Sequence, residues 1–466
     1  MKVMMSRNRI NIVIYVLAAV VLAGAATSAS VIAPACHRFS LSNGMEVYLI
    51  EDHRQPMIDF FMLFGTGTAV DSSRTAGLCS VSLSMLLDGT ENFPDTALAN
   101  AIDSTGGTVN VNALRDGSFI EGTFLSRDLQ FSLEILADMV QRPKLTEINL
   151  ERKKRRFVSV SMQRQSIASQ RLTNVLYSQI YGEEGYGSPT TGTRAGIENI
   201  ELADVQQFFD DNIGPNNASL FLGGDITIDE TVKLINKLFS NWKPGMGFSK
   251  PIVNLSLPDS LKIIILDYPE APSTDFLIGR PAVPAGSENT AALILFDYIL
   301  GGGGEISRLW QKVVLEQTLA SSVGSQIEWS KQNGAWMISG NSSNDMAPGA
   351  ILKVMNVIEE LRDIKVPFKE LDEARNFFYG YATDYYETTY SSLAMMATLK
   401  RIGVGQDFYE KLFDRFRECD PKRLRNIAGS LLDKNNMTII VSGPANILRP
   451  GLSQLGSVEV IESVEN

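Results

Sequence analysis

The sequence has few of the side chains that bind transition metals or act as catalytic bases. It contains two histidines among 466 residues, His37 and His53, and both lie in segments that read as the starts of strands. A metal site with two histidines on one helical face needs them four residues apart, so these two cannot form one. We expect both to be solvated histidines at strand ends.

Cysteine and positive charge are also scarce enough to exclude whole classes of protein. The three cysteines, Cys36, Cys79 and Cys419, are too far apart for a disulfide framework, and an odd number leaves at least one free thiol in an exported protein. The net charge of −11 at pH 7 argues against a nucleic-acid partner. The basic run at residues 152–156 falls on a predicted helix, where a solvated helix face is the expected structure.

The N-terminal segment has the pattern of an export signal. Lys2, Arg7 and Arg9 precede an apolar run at residues 10–26, and small residues follow at 27–29. This order predicts a signal peptide over residues 1–29 and a mature protein in the periplasm of a Gram-negative bacterium. The alternative is an uncleaved segment that anchors the protein in the membrane, facing the periplasm.

Two halves of the chain repeat one order of predicted elements, which predicts an α+β fold with two similar domains. Each half begins with strands and at least one helix, continues after a glycine break into further strands and helices, and closes on an apolar strand that ends in glycine. We expect mostly antiparallel sheets packed against helices. The predicted boundaries are a first domain at 37–242, a linker at 243–258 with three prolines and two glycines, a second domain at 259–446 and an acidic tail at 447–466.

Residues 76–90 carry the most informative motif, AGLCSVSLSMLLDGT. The stretch resembles the metal-binding helix of the insulinase/pitrilysin family of zinc peptidases, which has the form A-G-x-x-H-x-x-E-H-x-L-x-x-G-T. Five positions of that frame are kept, namely Ala76, Gly77, Leu86, Gly89 and Thr90. The resemblance implies a fold of two insulinase-like domains and covers nearly all of residues 37–446.

The positions of that motif that bind zinc or activate water in the family hold other residues here. Ser80 and Ser84 stand where the family has histidine ligands, and Leu83 stands where it has the glutamate that activates water. Ungapped matching of the next long helix puts Val160 at the remaining glutamate ligand. A neutral hydroxyl is a poor zinc donor and leucine has no basic atom. We therefore expect no zinc cofactor, no metal ligands and no catalytic residues of the family type.

The second half shows a further likeness and a further loss. Residues 300–309, LGGGGEISRL, resemble the family's L-G-G-G-x-x-S-R-L signature. A phosphate-binding loop is the other interpretation of a glycine run, but no Gly-Lys-Ser/Thr follows it. Downstream, active relatives carry R-x-x-x-G-x-A-Y, and here Ser321 occupies the tyrosine position while the arginine is missing.

One part of the binding apparatus resembles the family. Residues 106–112, GGTVNVN, are similar to the edge strand on which members align extended peptides, and Thr108, Asn110 and Asn112 are the candidate substrate-binding residues. The alternative is an edge that finds a partner inside the fold.

The resemblance implies a catalytically inactive subunit that binds or presents peptide to a homologous zinc-bearing partner, as in peptidases of the mitochondrial-processing type. Two alternatives stay open. One is a peptide-binding or scaffold protein without a peptidase partner. The other is an active hydrolase that uses Ser80, Ser84 or Cys79, for which the two upstream histidines make a base hard to supply.

Overall fold

Two six-stranded sheets organise the chain. The computed structural model describes residues 33–363, 366–382 and 384–462, so the signal segment expected at 1–29 lies outside the described residues. The strands of the first sheet follow the order β1-β2-β6-β3-β5-β4. They are β1 (His37–Ser40), β2 (Glu46–Glu51), β3 (Met57–Phe64), β4 (Thr108–Ala113), β5 (Ser118–Leu125) and β6 (Ala218–Gly224).

The second sheet repeats this plan. Its strands are β7 (Lys262–Asp267), β8 (Thr274–Pro281), β9 (Ser322–Glu328), β10 (Ala335–Ser342), β11 (Thr438–Gly443) and β12 (Val458–Glu462). The order β12-β7-β11-β8-β10-β9 matches the first sheet over its five shared strands. Of those five strands, the first and the last in chain order are neighbours in the sheet and run parallel, namely β2 with β6 and β7 with β11. The other neighbouring pairs among the five are antiparallel. The α+β class and the duplicated unit are confirmed.

The sixth strand differs between the two sheets. In the first, β1 lies antiparallel to β2, and in the second, β12 lies parallel to β7. The expected acidic tail after residue 446 is therefore corrected, because residues up to 462 contribute a helix and this edge strand to the second sheet. Backbone hydrogen bonds to β7 hold this strand, and Val458 and Val460 pack partly against the second core.

Eight helices accompany the first sheet in the described part of the chain. They are α1 (Leu78–Met85), α2 (Thr96–Ser104), α3 (Leu129–Gln141), α4 (Glu147–Ser166), α5 (Ala168–Tyr181), α6 (Arg194–Glu198), α7 (Leu202–Asn212) and α8 (Ile228–Phe239). No regular element occurs between α8 and β7, a stretch that includes residues 243–258 and that the structure describes throughout.

Seven helices accompany the second sheet in the described residues. They are α9 (Thr290–Asp297), α10 (Ala347–Asp363), α11 (Phe368–Tyr381), α12 (Thr389–Arg401), α13 (Phe408–Glu418), α14 (Pro421–Leu431) and α15 (Ala445–Leu452). Two π-helical segments, Tyr298–Gly302 and Trp310–Leu315, flank the glycine run. Within residues 33–363, 366–382 and 384–462, no helix has both the length and the apolarity needed to span a membrane.

The two halves exchange one helix each across their junction. Helix α5 of the first half lies on the second sheet, where its buried Leu172, Leu176 and Ile180 pack on β7, β8, β10 and β11. Helix α12 of the second half lies on the first sheet, where Leu393 and Met396 pack on β2, β3 and β6. Each sheet therefore buries one face under a helix from the other half, and neither half has a complete set of core contacts alone.

Candidate functional site

Helix α1 is the element on which the motif residues lie, and a buried aspartate fixes its start. Gly77 adopts a left-handed backbone conformation with φ of +109°, which favours glycine at this position. The Asp71 carboxylate accepts hydrogen bonds from the backbone N–H groups of Gly77 (3.0 Å) and Cys79 (3.1 Å). Burial raises the pKa of Asp71 to about 7, and the two N–H donors oppose that rise.

The retained frame residues have structural roles. A Cβ on Gly192 would lie 2.4 Å from the carbonyl oxygen of Ala76, so the chain around residue 192 approaches the start of α1 closely. Gly89 has φ of +119°, and the Thr90 hydroxyl donates to the buried carboxylate of Asp138. The frame is thus explained by the turn geometry and buried hydrogen bonds at both ends of α1, without a metal.

The three motif positions on α1 make internal contacts. The Ser80 hydroxyl donates to the backbone carbonyl of Thr190 at 2.6 Å, and the Ser84 hydroxyl donates to the carbonyl of Val81 at 2.7 Å. Leu83 is 1% exposed and belongs to the first hydrophobic core. Both hydroxyl protons are used in bonds to carbonyls, so neither serine is poised as a nucleophile.

On helix α4, Ser161 rather than Val160 faces the same region. Ser161 is buried and its hydroxyl donates to the carbonyl of Gly192 at 3.0 Å, two residues from the acceptor of Ser80. Val160 is only partly buried and belongs to none of the apolar clusters. The geometry therefore favours Ser161 as the fourth position of the motif, one residue from the position given by ungapped matching.

An ion pair also connects α1 with α4. Lys153 is 5% exposed, and its ammonium group lies 3.1 Å from the carboxylate of Asp88, just after α1. Arg152 reaches the same carboxylate oxygen at 2.8 Å. Burial lowers the pKa of Lys153, while Asp88 opposes that shift. The expectation of a solvated basic face at 152–156 is wrong for Lys153, which is buried against its counter-ion.

The donor set around α1 does not fit zinc, since it offers hydroxyls and aliphatic groups. Among the described residues, no group of three histidine, cysteine or acidic side chains is placed to hold a metal ion. His53 lies elsewhere, with its ring nitrogens 2.6 Å from Asp225 and 2.9 Å from Glu51. These carboxylates raise its pKa. Cys79 is fully buried in the first core, and burial raises the pKa of its thiol, so it is not an activated nucleophile.

Strand β4 runs beside α1 and forms one edge of the first sheet. The side chains of Thr108, Asn110 and Asn112 are exposed, whereas the alternate residues of the strand pack partly against the core. Within the described residues no strand pairs with the outer side of β4. The alternative of a partner strand inside the fold is therefore not found in the described part of the chain.

The hydrogen-bond register shows which backbone groups face outward from β4. The N–H of Leu114 donates to the carbonyl of Gly117 at 2.9 Å, at the end of the β4–β5 hairpin. Hydrogen-bonded pairs alternate in an antiparallel ladder, so the residues at 108, 110 and 112 direct their backbone groups toward β5. The outward N–H and C=O groups therefore belong to Val109, Val111 and Ala113, which the sequence reasoning did not single out.

Ser321 lies in the second half, directly before β9. Its hydroxyl is exposed and interacts with the side-chain oxygen of Asn341 at 2.9 Å. The glycine run precedes it and packs against the same strand, where a Cβ on Gly301 would lie 2.5 Å from the backbone nitrogen of Ser325. Glycine is needed there for the close approach of the two backbones.

The family assignment agrees with this geometry. Residues 46–194 match the profile described as insulinase (peptidase family M16), and residues 199–378 match the profile described as peptidase M16 inactive domain. The chain belongs to the insulinase family. The family relationship expected from the motif frame is confirmed, and the blank positions on α1 are thus departures within the insulinase fold.

Two insulinase-family relatives match over most of their length. A Helicobacter pylori protein named non-peptidase homolog YmxG is 23% identical over 394 residues, covering 84% of this chain and 90% of the relative. A Bacillus subtilis protein described as uncharacterized zinc protease YmxG is 20% identical over 413 residues, covering 88% of this chain and 99% of the relative.

Solved structures show the same fold. A peptidase M16 inactive domain from Pseudomonas fluorescens has a TM-score of 0.81 at 21% identity, covering 88% of this chain and 98% of that one. A protease from Helicobacter pylori has a TM-score of 0.82 at 17% identity, covering 88% of this chain and 100% of that one. The two-domain insulinase architecture is confirmed.

Proposed function

We propose that this chain is a catalytically inactive insulinase-family subunit that binds extended peptides on strand β4 for a homologous, zinc-bearing partner. The observation that carries the proposal is the contrast between α1 and its neighbour β4. The chemical positions on α1 hold serine hydroxyls bonded to carbonyls and a buried leucine. The adjoining edge strand keeps outward backbone groups on Val109, Val111 and Ala113.

Peptide addition to β4 needs no metal. A peptide strand would pair its backbone with the outward groups of those three residues, because edge pairing depends on N–H and C=O groups rather than on side chains. The exposed side chains of Thr108, Asn110 and Asn112 would then border the added strand on the open face. The Helicobacter relative named a non-peptidase homolog supports an inactive role for this chain as well.

A partner would supply the chemistry that is missing here. The full two-domain fold and the glycine run are kept, while the ligand positions are not. This combination is explained if another chain carries an intact H-x-x-E-H motif and the two chains enclose substrate together. The export of the chain to the periplasm is part of the same proposal and rests on the pattern at residues 1–29. Detection of a mature N-terminus near residue 30 by mass spectrometry of the native protein would test it.

The peptide-binding test uses one substitution at an outward N–H. Val111→Pro removes that N–H but leaves the ladder to β5 intact, because proline is tolerated where an edge strand directs its N–H away from the sheet. Val111→Ala removes the same side chain and keeps the N–H. A labelled, unstructured ten-residue peptide should bind the wild type and the alanine variant alike, and bind the proline variant at least tenfold more weakly. Equal binding by a folded proline variant would exclude β4 as the peptide site.

The partner test uses chains that purify with the native protein. A co-purifying homologue with H-x-x-E-H should cleave peptides faster with the wild-type chain than alone, and the Val111→Pro chain should assemble without that gain. If the partner is equally active alone on every peptide, this chain has a structural role. If no such homologue co-purifies, the peptide-binding alternative without a peptidase partner replaces the subunit.

A further inference from the structure

The second half contains a pocket that has no part in the function proposed above. Its volume is about 580 Å³, and it lies between β9, the π-helical segment after α9, and helices α11, α12 and α13. Nine of its 22 lining residues are aromatic. They include Tyr298, Trp329, Phe377, Phe378, Tyr409 and Phe413.

Two carboxylates line the pocket, and one of them, Glu328, is paired with Arg115 at 3.3 Å. Asp297 lines the pocket and is only 7% exposed. Its Oδ1 accepts a hydrogen bond from the indole Nε1 of Trp336 at 2.7 Å, and the hydroxyl of Ser325 lies 3.2 Å from its backbone carbonyl oxygen. Burial raises the pKa of Asp297 to about 6, and Ser325 and Trp336 oppose that rise. No lysine or arginine among the described residues forms an ion pair with this carboxylate, so a buried group that ionises near neutral pH has no counter-ion.

Gly302 lines the pocket beside the second carboxylate oxygen of Asp297. A Cβ on Gly302 would lie 2.9 Å from Oδ2 of Asp297, and a Cβ on Gly303 would lie 2.8 Å from the carbonyl oxygen of Tyr298. The segment from Tyr298 to Gly302 is π-helical, a local widening that occurs often at functional sites. Glycine at 302 thus leaves open the space beside the carboxylate that any other residue would fill.

A buried carboxylate among aromatic faces matches one ligand chemistry. Burial of an unpaired charge is unfavourable, and a cation would neutralise it. Aromatic faces attract organic cations through their quadrupoles and also bury the apolar body of the ligand. The one lysine or arginine among the described residues that lines the pocket, Arg401, lies 3.7 Å from the carboxylate of Asp116. An anionic ligand would face Asp297 without a free counter-charge beside it.

We propose that this pocket binds an organic cation, an ammonium or guanidinium group on an apolar body, with the charge against Asp297 and the body against the packed rings of Tyr298, Phe377 and Phe378. The cation has two possible sources, a free amine or a basic side chain of a bound peptide. Residues 325–328 of β9 line one side of the pocket, so a peptide on that edge would have access to it.

Paired probes test the charge requirement. Phenethylammonium is compared with 2-phenylethanol, and an extended peptide with one lysine is compared with its acetyl-lysine form, by calorimetry on the full chain. At least one cationic probe should bind ten or more times tighter than its neutral counterpart. The amine pair identifies a free ligand and the peptide pair identifies a side chain. If neither cation exceeds its neutral counterpart tenfold, the proposal is wrong.

Variants locate the binding. Asp297→Asn keeps an acceptor for Trp336 and removes the charge, so the preference for the cation should disappear, whereas Glu305→Gln on the nearby surface should preserve it. Gly302→Ala, which places a methyl group against Oδ2, should lower the affinity for the cationic probe at least fivefold. This variant gives a second test if the asparagine variant does not fold. An unchanged preference in a folded Asp297→Asn variant, or an unchanged cation affinity in a folded Gly302→Ala variant, would overturn the site.

Discussion

The exchange of helices between the two halves predicts that a substitution in one half destabilises the other. Leu176 of α5 is fully buried on the second sheet, although its helix follows directly from the first domain. Its side chain covers Gly279 of β8, where a methyl group added to that glycine would lie 2.4 Å from Leu176 Cδ2. Since glycine has no side chain to refill the space, Leu176→Ala should leave a lasting cavity.

The size of the effect follows from that geometry. Buried leucine-to-alanine substitutions cost about 2–5 kcal/mol, and the cost rises with the cavity that remains. We expect about 3–5 kcal/mol here, a large share of the roughly 5–15 kcal/mol that stabilises a typical folded domain. Leu393→Ala on α12 makes the reciprocal change, because Leu393 is buried against the first sheet.

Native-state hydrogen exchange with mass spectrometry measures both halves at once. In the Leu176→Ala protein, strand β6 of the first sheet and strand β11 of the second should lose protection by the same free energy, and Leu393→Ala should reproduce this result. Gln170→Ala, at an exposed position of α5, is the control and should change neither strand by more than about 0.5 kcal/mol. Loss of protection in β11 alone, or a total change below about 1 kcal/mol, would show that the halves are not coupled through these helices.

Three further results are expected. Ser80→His, Leu83→Glu and Ser84→His, combined with one glutamate on α4, should create a zinc site, as measured by metal analysis of folded protein. The site should bind zinc more tightly when that glutamate comes from Ser161→Glu than when it comes from Val160→Glu. The pKa of about 7 for Asp71 lies above its unfolded value, so its stabilising contribution is present below about pH 4 and is lost as the pH rises through 7. In urea titrations, the free energy of unfolding of Asp71→Asn should therefore rise relative to that of the wild type by up to about 4 kcal/mol over that interval. Arg115→Ala should cost about 2 kcal/mol in the same assay, because the guanidinium lies 3.6 Å from the Tyr177 ring centroid and donates to the carbonyl of Tyr186, and Arg115→Lys should not restore the full loss.

The sequence predicts those elements whose pattern is local. Strand β3 runs from Met57 to Phe64, where an apolar run bounded by turn residues predicts a strand. Strand β9 is not evident from the sequence, because Ser322–Glu328 has little apolar alternation and is held by its register with β10. Strand β12 has only five residues, and its place in the sheet is set by pairing with β7 together with the partial burial of Val458 and Val460.

The composition of the site is predictable from the sequence, but its three-dimensional arrangement is not. The blank ligand positions on α1 are evident from spacing alone. Ungapped matching places the fourth position at Val160 because it ignores which face of α4 is buried. Lys153 and Ser161 are both buried and lie eight residues apart, a spacing that puts them on the same, inner face of the helix. No local pattern shows that α5 leaves its own domain, since Leu172, Leu176 and Ile180 form an apolar stripe that could cover either sheet.

The contacts between α1 and α4 explain how the ligand positions can change while the neighbouring edge strand stays in place. In the family that the motif resembles, a metal joins these two helices. Here the hydroxyls of Ser80 and Ser161 both bond the segment at Thr190–Gly192, and the Asp88–Lys153 ion pair joins the end of α1 to α4. Asp71 fixes the other end of α1 through two backbone N–H groups. These bonds fix α1 against α4 and the segment at Thr190–Gly192 through groups of the chain itself, and α1 in turn packs beside β4.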